Sequence, residues 1–327
     1  MIGLRLAGVA LLLAATACGA KGDKPAGTAT VVRTSNEFSA DSAMSYIRQQ
    51  LAFGPRTPGT ETARKTGDWI ASRLHATADT VLEQRWTHTM ADGKSVPMRN
   101  IFARFKPNAK ARVLYVTHWD TRPFADSDPD PAKTKLPMPG ANDGASGVAL
   151  LMAVADALKK TPPNTGVDLL FVDGEDWGTF GPPDVDVLIG STYFAQHLPN
   201  PGYAPTFGVL WDMIGDADLN IYQEVNSAQA APEVVQRVWG LAKEMGYEKY
   251  FIPEAKEPIT DDHVPLIKAG LKVIDVIDID YGPRDETGAV TTSYHHTTMD
   301  TIDHVSAKSM KIVGDVAIAL LRQDTSR

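Results

Sequence analysis

The sequence predicts a three-layer α/β/α sandwich built on a largely parallel, mixed central sheet. Four short apolar runs, RVLYVTH, VDLLFVD, FGVLWDM and LKVIDVIDI, have strand length and are apolar at odd and even positions alike, as strands covered on both faces must be. Segments with apolar residues at helical spacing separate them, which is the alternation of a doubly covered sheet. Residues of chemical use stand where open α/β sheets gather ligands, beyond the carboxyl ends of strands. His118 and Asp120 close the first run, Glu175 and Asp176 follow the second, and Asp212 ends the third.

Residues 1–17 carry Arg5, an apolar stretch over 6–15 and small residues before Cys18, the pattern of an export signal and too short for a membrane span. Cys18 is the only cysteine of the 327 residues, so no intramolecular disulfide forms. Its ATAC context resembles a bacterial lipoprotein cleavage site, with Ala15 where leucine is usual. The expectation is an exported protein of the periplasm or cell envelope, lipid-anchored through Cys18; an ordinary signal peptide ending nearby is the alternative. Residues 18–37, rich in Gly, Ala, Thr and Lys, read as a tether, and 38–327 as a single catalytic domain without internal repeat.

Within that domain helices are expected over 41–51 and 61–74, separated by the breaker loop FGPRTPGT. Then come the first strand, a helix over 146–160, the second strand and a short helix over 191–197. The third strand, a helix over 232–245, a helix from Val264, the fourth strand and a closing helix over 306–321 complete the order. The Pro- and Asp-rich loops 124–139 and 179–188 are expected to shape access to a site. A net charge of −8, with 40 acidic against 32 basic residues, excludes a phosphate-neutralising nucleic-acid surface and suits a cation.

Four segments carry the chemistry: HWDTRP at 118–123, GANDGASG at 140–147, FVDGEDWG at 171–178 and YHHTTMDT at 294–301. Zinc takes imidazole nitrogen and carboxylate oxygen, and a catalytic site keeps one position open. His118, Asp120, Asp143, Glu175, Asp176, Asp212 and His296 supply that inventory from separate strand ends. Packing so many carboxylates together without a cation costs several kcal/mol in desolvation and repulsion. Plainer roles exist for some of them. Asp143 suits a helix N-terminus, and Asp261, Asp262 and His263 suit the start of the helix at Val264. Arg122 suits a loop-ordering pair with Asp126 or Asp128 and is given no catalytic part, and His88 and His304 read as surface histidines.

Read in order, HWDTRPFADSDPD, PGANDGASGVALL, FVDGEDWG, IGSTYFA, LWDMIG, ITDDHVPLIKAG and YHHTTMDTIDHVS resemble glutaminyl cyclase (glutaminyl-peptide cyclotransferase) of the animal and Bacteroidetes type, within the zinc aminopeptidase, peptidase M28-like fold family. The resemblance covers residues 53–306. It implies one Zn2+ held by Asp143, Asp176 and His296, with Glu175 as proton shuttle. Asp212 and Asp261 are then the acidic partners around it, with Asp262 as the alternative to Asp261. It also implies substrates that are peptide or protein N-termini bearing Gln, converted to pyroglutamate with release of ammonia. Two positions depart from the family pattern: Asp176 stands where a second Glu is frequent, and His295 where animal members carry Trp as a substrate wall, so Trp177, Trp119 or Tyr294 is expected to supply that wall. A two-zinc aminopeptidase of the same fold is the alternative, with Asp143 bridging and His118 and Asp212 added as ligands. A non-catalytic binding lipoprotein is the third reading.

Overall fold

The computed structural model describes residues 36–323, so the expected export signal, the Cys18 anchor and nearly all of the tether lie outside the described residues. Among the described residues no helix is long and apolar enough to cross a membrane. In chain order the elements are α1 (Ala40–Phe53), α2 (Glu61–Thr77), β1 (Thr80–Thr89), β2 (Ser95–Phe105), β3 (Arg112–His118), α3 (Ala145–Lys160), β4 (Gly166–Val172), α4 (Ile189–Gln196), β5 (Phe207–Asp212), β6 (Ile221–Glu224), α5 (Val225–Ala230), α6 (Pro232–Glu244), β7 (Phe251–Lys256), α7 (His263–Lys268), β8 (Val273–Ile277) and α8 (Ala307–Arg322).

Six strands form one sheet in the order β1-β2-β4-β3-β5-β8. The four apolar runs are its parallel part, β4, β3, β5 and β8, and β1 and β2 extend it as antiparallel strands on one edge. Alternation along the parallel strands builds two cores. Val113, Tyr115, Val209, Trp211 and Ile274 pack with α1, α2, α3, α6 and α8 on one face. Leu114, Val116, Leu210 and Val273 pack on the other with Phe194 of α4 and Leu266 of α7. Asp168 interrupts this second face, and Arg112, Arg104 and the Tyr203 hydroxyl satisfy its carboxylate, so the buried charge is paired and hydrogen-bonded.

The sequence reading misses β1 and β2 because polar residues break their apolar pattern. Arg99 on β2 reaches across the hairpin to Glu83 on β1, with donor distances of 2.9 and 2.8 Å, so the charges are part of the pairing. The two-stranded β6-β7 sheet and the single-turn-and-a-half α5 are likewise missed, being too short for periodicity to show. Gly147 explains the small residues that open α3: a Cβ there would lie 2.1 Å from Thr117 Oγ1 and 2.4 Å from the Trp211 carbonyl. The helix therefore lies directly on β3 and β5.

Candidate active site

The site assembles at the carboxyl edge of the parallel strands. His118, the last residue of β3, is fully buried, and its Nε2 stands 3.1 Å from both Asp143 Oδ1 and Asp212 Oδ1. Asp120, two residues on, accepts the backbone N–H groups of Glu175 and Asp176 at 3.1 and 3.2 Å. Its carboxylate thus sets the conformation of the Glu-Asp loop beyond β4. Asp143 does not cap α3, whose N-cap is Gly144 in a left-handed conformation (φ 80°). A Cβ at Gly144 would lie 2.7 Å from the Asp120 carbonyl and 3.0 Å from the His118 ring, so glycine lets the Asp143 loop close on β3.

Three groups hold the Asp143 loop. The Asn142 and Asp143 N–H groups donate to the two carboxylate oxygens of Asp300, at 2.8 and 3.1 Å, and the Tyr281 hydroxyl donates to the same carboxylate. Burial above all, then the charge of Asp143, pushes Asp300 up to about 7. Arg56, fully buried, donates to the carbonyls of Trp119, Pro139, Gly140 and Asp143. Neither Asp300 nor Arg56 is assigned a role from the sequence. Asp300 closes the His-Thr-x-x-Asp pattern and was within reach, whereas Arg56 sits in what reads only as a breaker loop.

His296 lies in the left-handed region (φ 58°), uncommon for residues other than glycine. Its Nε2 is 3.1 Å from Asp176 Oδ1 and 3.7 Å from Asp143 Oδ2. Arg122 donates to Asp176 Oδ1 at 3.0 Å and pairs with Asp126 at 2.7 Å, so its role is larger than the loop-ordering part expected: it also fixes a candidate ligand. Asp128, the other expected partner of Arg122, instead accepts from Thr298 beside His296, and Ser127 N–H donates to the His296 carbonyl. The loop over 124–139 is thereby stitched to the histidine loop. Asp143 Oδ2 and Asp176 Oδ2 are buried without a hydrogen-bond partner. Two orphaned carboxylate oxygens beside an imidazole nitrogen are a donor set that fits zinc. Among the described residues, the sets with ligand atoms within 4.8 Å of one another are Asp143, His295 and His296; His118, Asp143 and Asp212; and Asp261, His263 and Asp275, while Asp176 meets His296 at 3.1 Å without belonging to any of the three.

A cavity of about 620 Å³ opens over this edge, and Asp143, Glu175, Asp212, Asp261, His295 and His296 all line it. Of the two neighbouring acids it is Asp261 that faces the cavity; Asp262 is fully buried at the N-cap position of α7 but makes no side-chain capping bond. Burial first, and then the charges of Asp176, Asp261 and Asp262, raise the Glu175 carboxyl well above the carboxylate range, against the pull of His118. Burial and the neighbouring Asp212 and Asp262 raise Asp261 likewise. Asp143 moves the other way: despite burial, its hydrogen bond to His118 and the charges of three histidines hold it below its ordinary value. His295 is pushed down to about 3 by burial and by the adjacent His296.

Of the three aromatic residues expected to form the apolar wall, only Tyr294 packs with residues that line the cavity. Trp119 points into the core and donates to the Arg99 carbonyl at 3.0 Å, Trp177 packs in a satellite cluster with Met98 and Ile189, and Tyr294 stacks on His304 at 3.9 Å. Phe180, Met213, Ile259, Ile277 and Ile279 line the cavity instead. Met213, Ile277 and Ile279 close the third and fourth apolar runs, whereas Phe180 and Ile259 lie in loops that no apolar run announces. The stacked His304 is half-buried, not a surface residue, and half-buried His88 lies 3.6 Å from Asp186.

The sequence model of peptidase family M28 matches residues 100–321. The chain is 37% identical to glutaminyl cyclase from Porphyromonas gingivalis over 88% of its own length and 99% of that chain, with a TM-score of 0.82. It is 35% identical to a leucine aminopeptidase precursor from Bacteroides thetaiotaomicron over 88% of its own length and 98% of that chain, also with a TM-score of 0.82. Among curated relatives it is 32% identical to a probable zinc metalloprotease from Pyrenophora teres f. teres over 50% of its own length, and it spans only 35% of that relative.

Proposed function

This chain belongs to peptidase family M28, and from that premise we propose that it is a zinc-dependent glutaminyl-peptide cyclotransferase, converting the N-terminal Gln of peptides or proteins to pyroglutamate with release of ammonia. The observation that carries the reading is that three buried acids, Glu175, Asp212 and Asp261, line the same cavity as Asp143 and His296. Asp143, Asp176 and His296 would hold one zinc, whose charge polarises the γ-amide carbonyl when bound.

The chain's own residues do the rest. Glu175 faces the cavity and burial raises its carboxyl above the carboxylate range, which favours a residue that takes a proton and releases it again. It accepts that proton from the attacking α-amine and delivers it to the departing ammonia. The α-amine, with an ordinary pKa of about 7.7–8.0, is partly neutral at pH 7 and needs no further activation. Asp212 and Asp261 receive hydrogen bonds from the amine and the leaving nitrogen. The nucleophile and the carbonyl belong to one residue, so a cavity that folds the glutamine side chain against Phe180 and the isoleucines supplies proximity.

A two-zinc aminopeptidase is the second reading, and one observation favours it: His118, Asp143 and Asp212 bring ligand atoms within 4.8 Å of one another. Mass spectrometry of a Gln-initiated peptide incubated with the zinc-loaded chain separates the two. Loss of a single ammonia, absent with Glu175→Gln and with a Leu-initiated control, supports the cyclase. Release of whole N-terminal residues overturns it in favour of the aminopeptidase, and no turnover of either peptide leaves only the binding protein. We further propose that the enzyme works in the cell envelope, anchored through Cys18; fatty-acid labelling that survives Cys18→Ser would refute this.

A further inference from the structure

We propose that His295 is a fourth protein ligand of the zinc, capping the centre until substrate displaces it. The inference rests on the zinc centre of the preceding reading and assigns a role to a residue that departs from the animal pattern. Asp143 Oδ2 is buried and has no hydrogen-bond partner. Two imidazole nitrogens face it, His296 Nε2 at 3.7 Å and His295 Nε2 at 3.9 Å, both too far to be hydrogen bonds. The two imidazole rings lie with centroids 3.7 Å apart, tilted by 44°, and so converge on one carboxylate oxygen. Ligands about 2.0–2.2 Å from a tetrahedral zinc stand roughly 3.3–3.6 Å from one another. The observed separations need only a few tenths of an ångström of closure, and a cation among the three atoms satisfies an oxygen that nothing else in the structure satisfies.

With Asp143, Asp176 and His296 already present, a fourth side chain would fill the tetrahedral shell and leave no place for a carbonyl oxygen. One of the four must leave, and exposure says which. The side chains of Asp143, Asp176 and His296 are 3%, 1% and 12% exposed, whereas His295 is 29% exposed at the cavity wall. Asp143 and Asp176 are also tied down by the Asp300 and Arg122 contacts, and His296 by the Ser127 N–H on its carbonyl and its 3.1 Å contact with Asp176. His295 is the arm free to swing outward as a glutamine side chain enters.

X-ray absorption at the zinc edge of the full chain loaded with one equivalent of zinc counts imidazole ligands directly. The expected result is two imidazoles in the wild type, one in His295→Ala and in His295→Phe, and still two in His118→Ala. The Phe variant keeps the ring volume, so a loss shared by both variants is a loss of the ligand and not of packing. A single imidazole in the wild type, or two that survive His295→Ala, overturns the proposal. The peptide mass spectrum is read separately. A two-imidazole centre in a chain that cyclises nothing refutes the cyclase and leaves His295 a ligand, while a one-imidazole centre in an active cyclase does the reverse.

Discussion

Arg56→Met removes the guanidinium that holds the Asp143 loop from beneath. Of its four carbonyl acceptors, those of Trp119, Gly140 and Asp143 are reached through buried bonds of 3.1, 2.6 and 3.3 Å, and Pro139 through one open to water on one side. Methionine fills the aliphatic volume but leaves the three buried acceptors without a donor, at about 1–3 kcal/mol each, or about 6 in all. Part of that is returned. Burial holds the guanidinium down to about 10, and removing so uncomfortable a charge gives back about 3 kcal/mol. The net expectation is a loss of about 3 kcal/mol, measured as the shift of a urea unfolding midpoint at unchanged slope with zinc chelated. Because the loop carries a candidate ligand, zinc affinity should fall as well, by one to two orders of magnitude as when groups orienting a ligand are lost. A loss below about 1 kcal/mol with zinc affinity intact would show that the loop holds its shape without Arg56 and refute the reasoning.

Asp120→Asn keeps one acceptor oxygen where two buried N–H groups need them, so kcat/KM for a Gln-initiated peptide should drop about 10- to 100-fold and about 1–3 kcal/mol of stability should go with the unpaired N–H, both read on the purified variant. Gly147→Ala drives a methyl into Thr117 and the Trp211 carbonyl, and about 1–3 kcal/mol of stability should disappear in denaturant titration. Although burial opposes it, the His263 ring 3.2 Å away, the Ile259 N–H and Ser227 hold Glu224 down to about 2, from an ordinary value of 4.5. A depressed carboxylate stabilises the fold above its unfolded pKa and loses that contribution as pH falls through the folded one. Glu224→Gln should therefore be less stable than the wild type by up to about 3 kcal/mol at pH 7, with the gap closing from about pH 4.5 downward; a gap independent of pH would refute the assignment.

The parallel half of the sheet is legible because its strands are buried on both faces and so read as unbroken apolar runs, and His118 and Asp212 follow from their place at the ends of two of them. The hairpin β1-β2 is not legible, since charged residues such as the cross-strand pair Arg99 and Glu83 interrupt its apolar pattern and look like solvent-facing residues in one dimension. At the site, residues that announce themselves by chemistry, Asp143, Glu175, Asp176 and His296, are brought to one cavity or its wall. The groups that hold them, Arg56, Asp300 and the Asp176 contact of Arg122, act through backbone carbonyls, backbone N–H groups and partners 54 to 158 residues away. No local pattern records such partners. The apolar wall escapes for a related reason, as Phe180 and Ile259 lie in loops whose course only the folded chain defines.

The histidine loop is docked by contacts to Ser127, Asp128, Asn142 and Asp143, all more than 150 residues earlier in the chain. A nascent chain that has made its sheet but not yet seated residues 294–301 has only part of the proposed centre. Capture of a cation would thus belong at the close of folding, the ion acting as a clasp between the middle and last thirds of the domain. Stripping it should loosen that closing turn before anything in the sheet gives way, so amide exchange around Thr297 and Asp300 is the place where an empty and a loaded molecule would first differ.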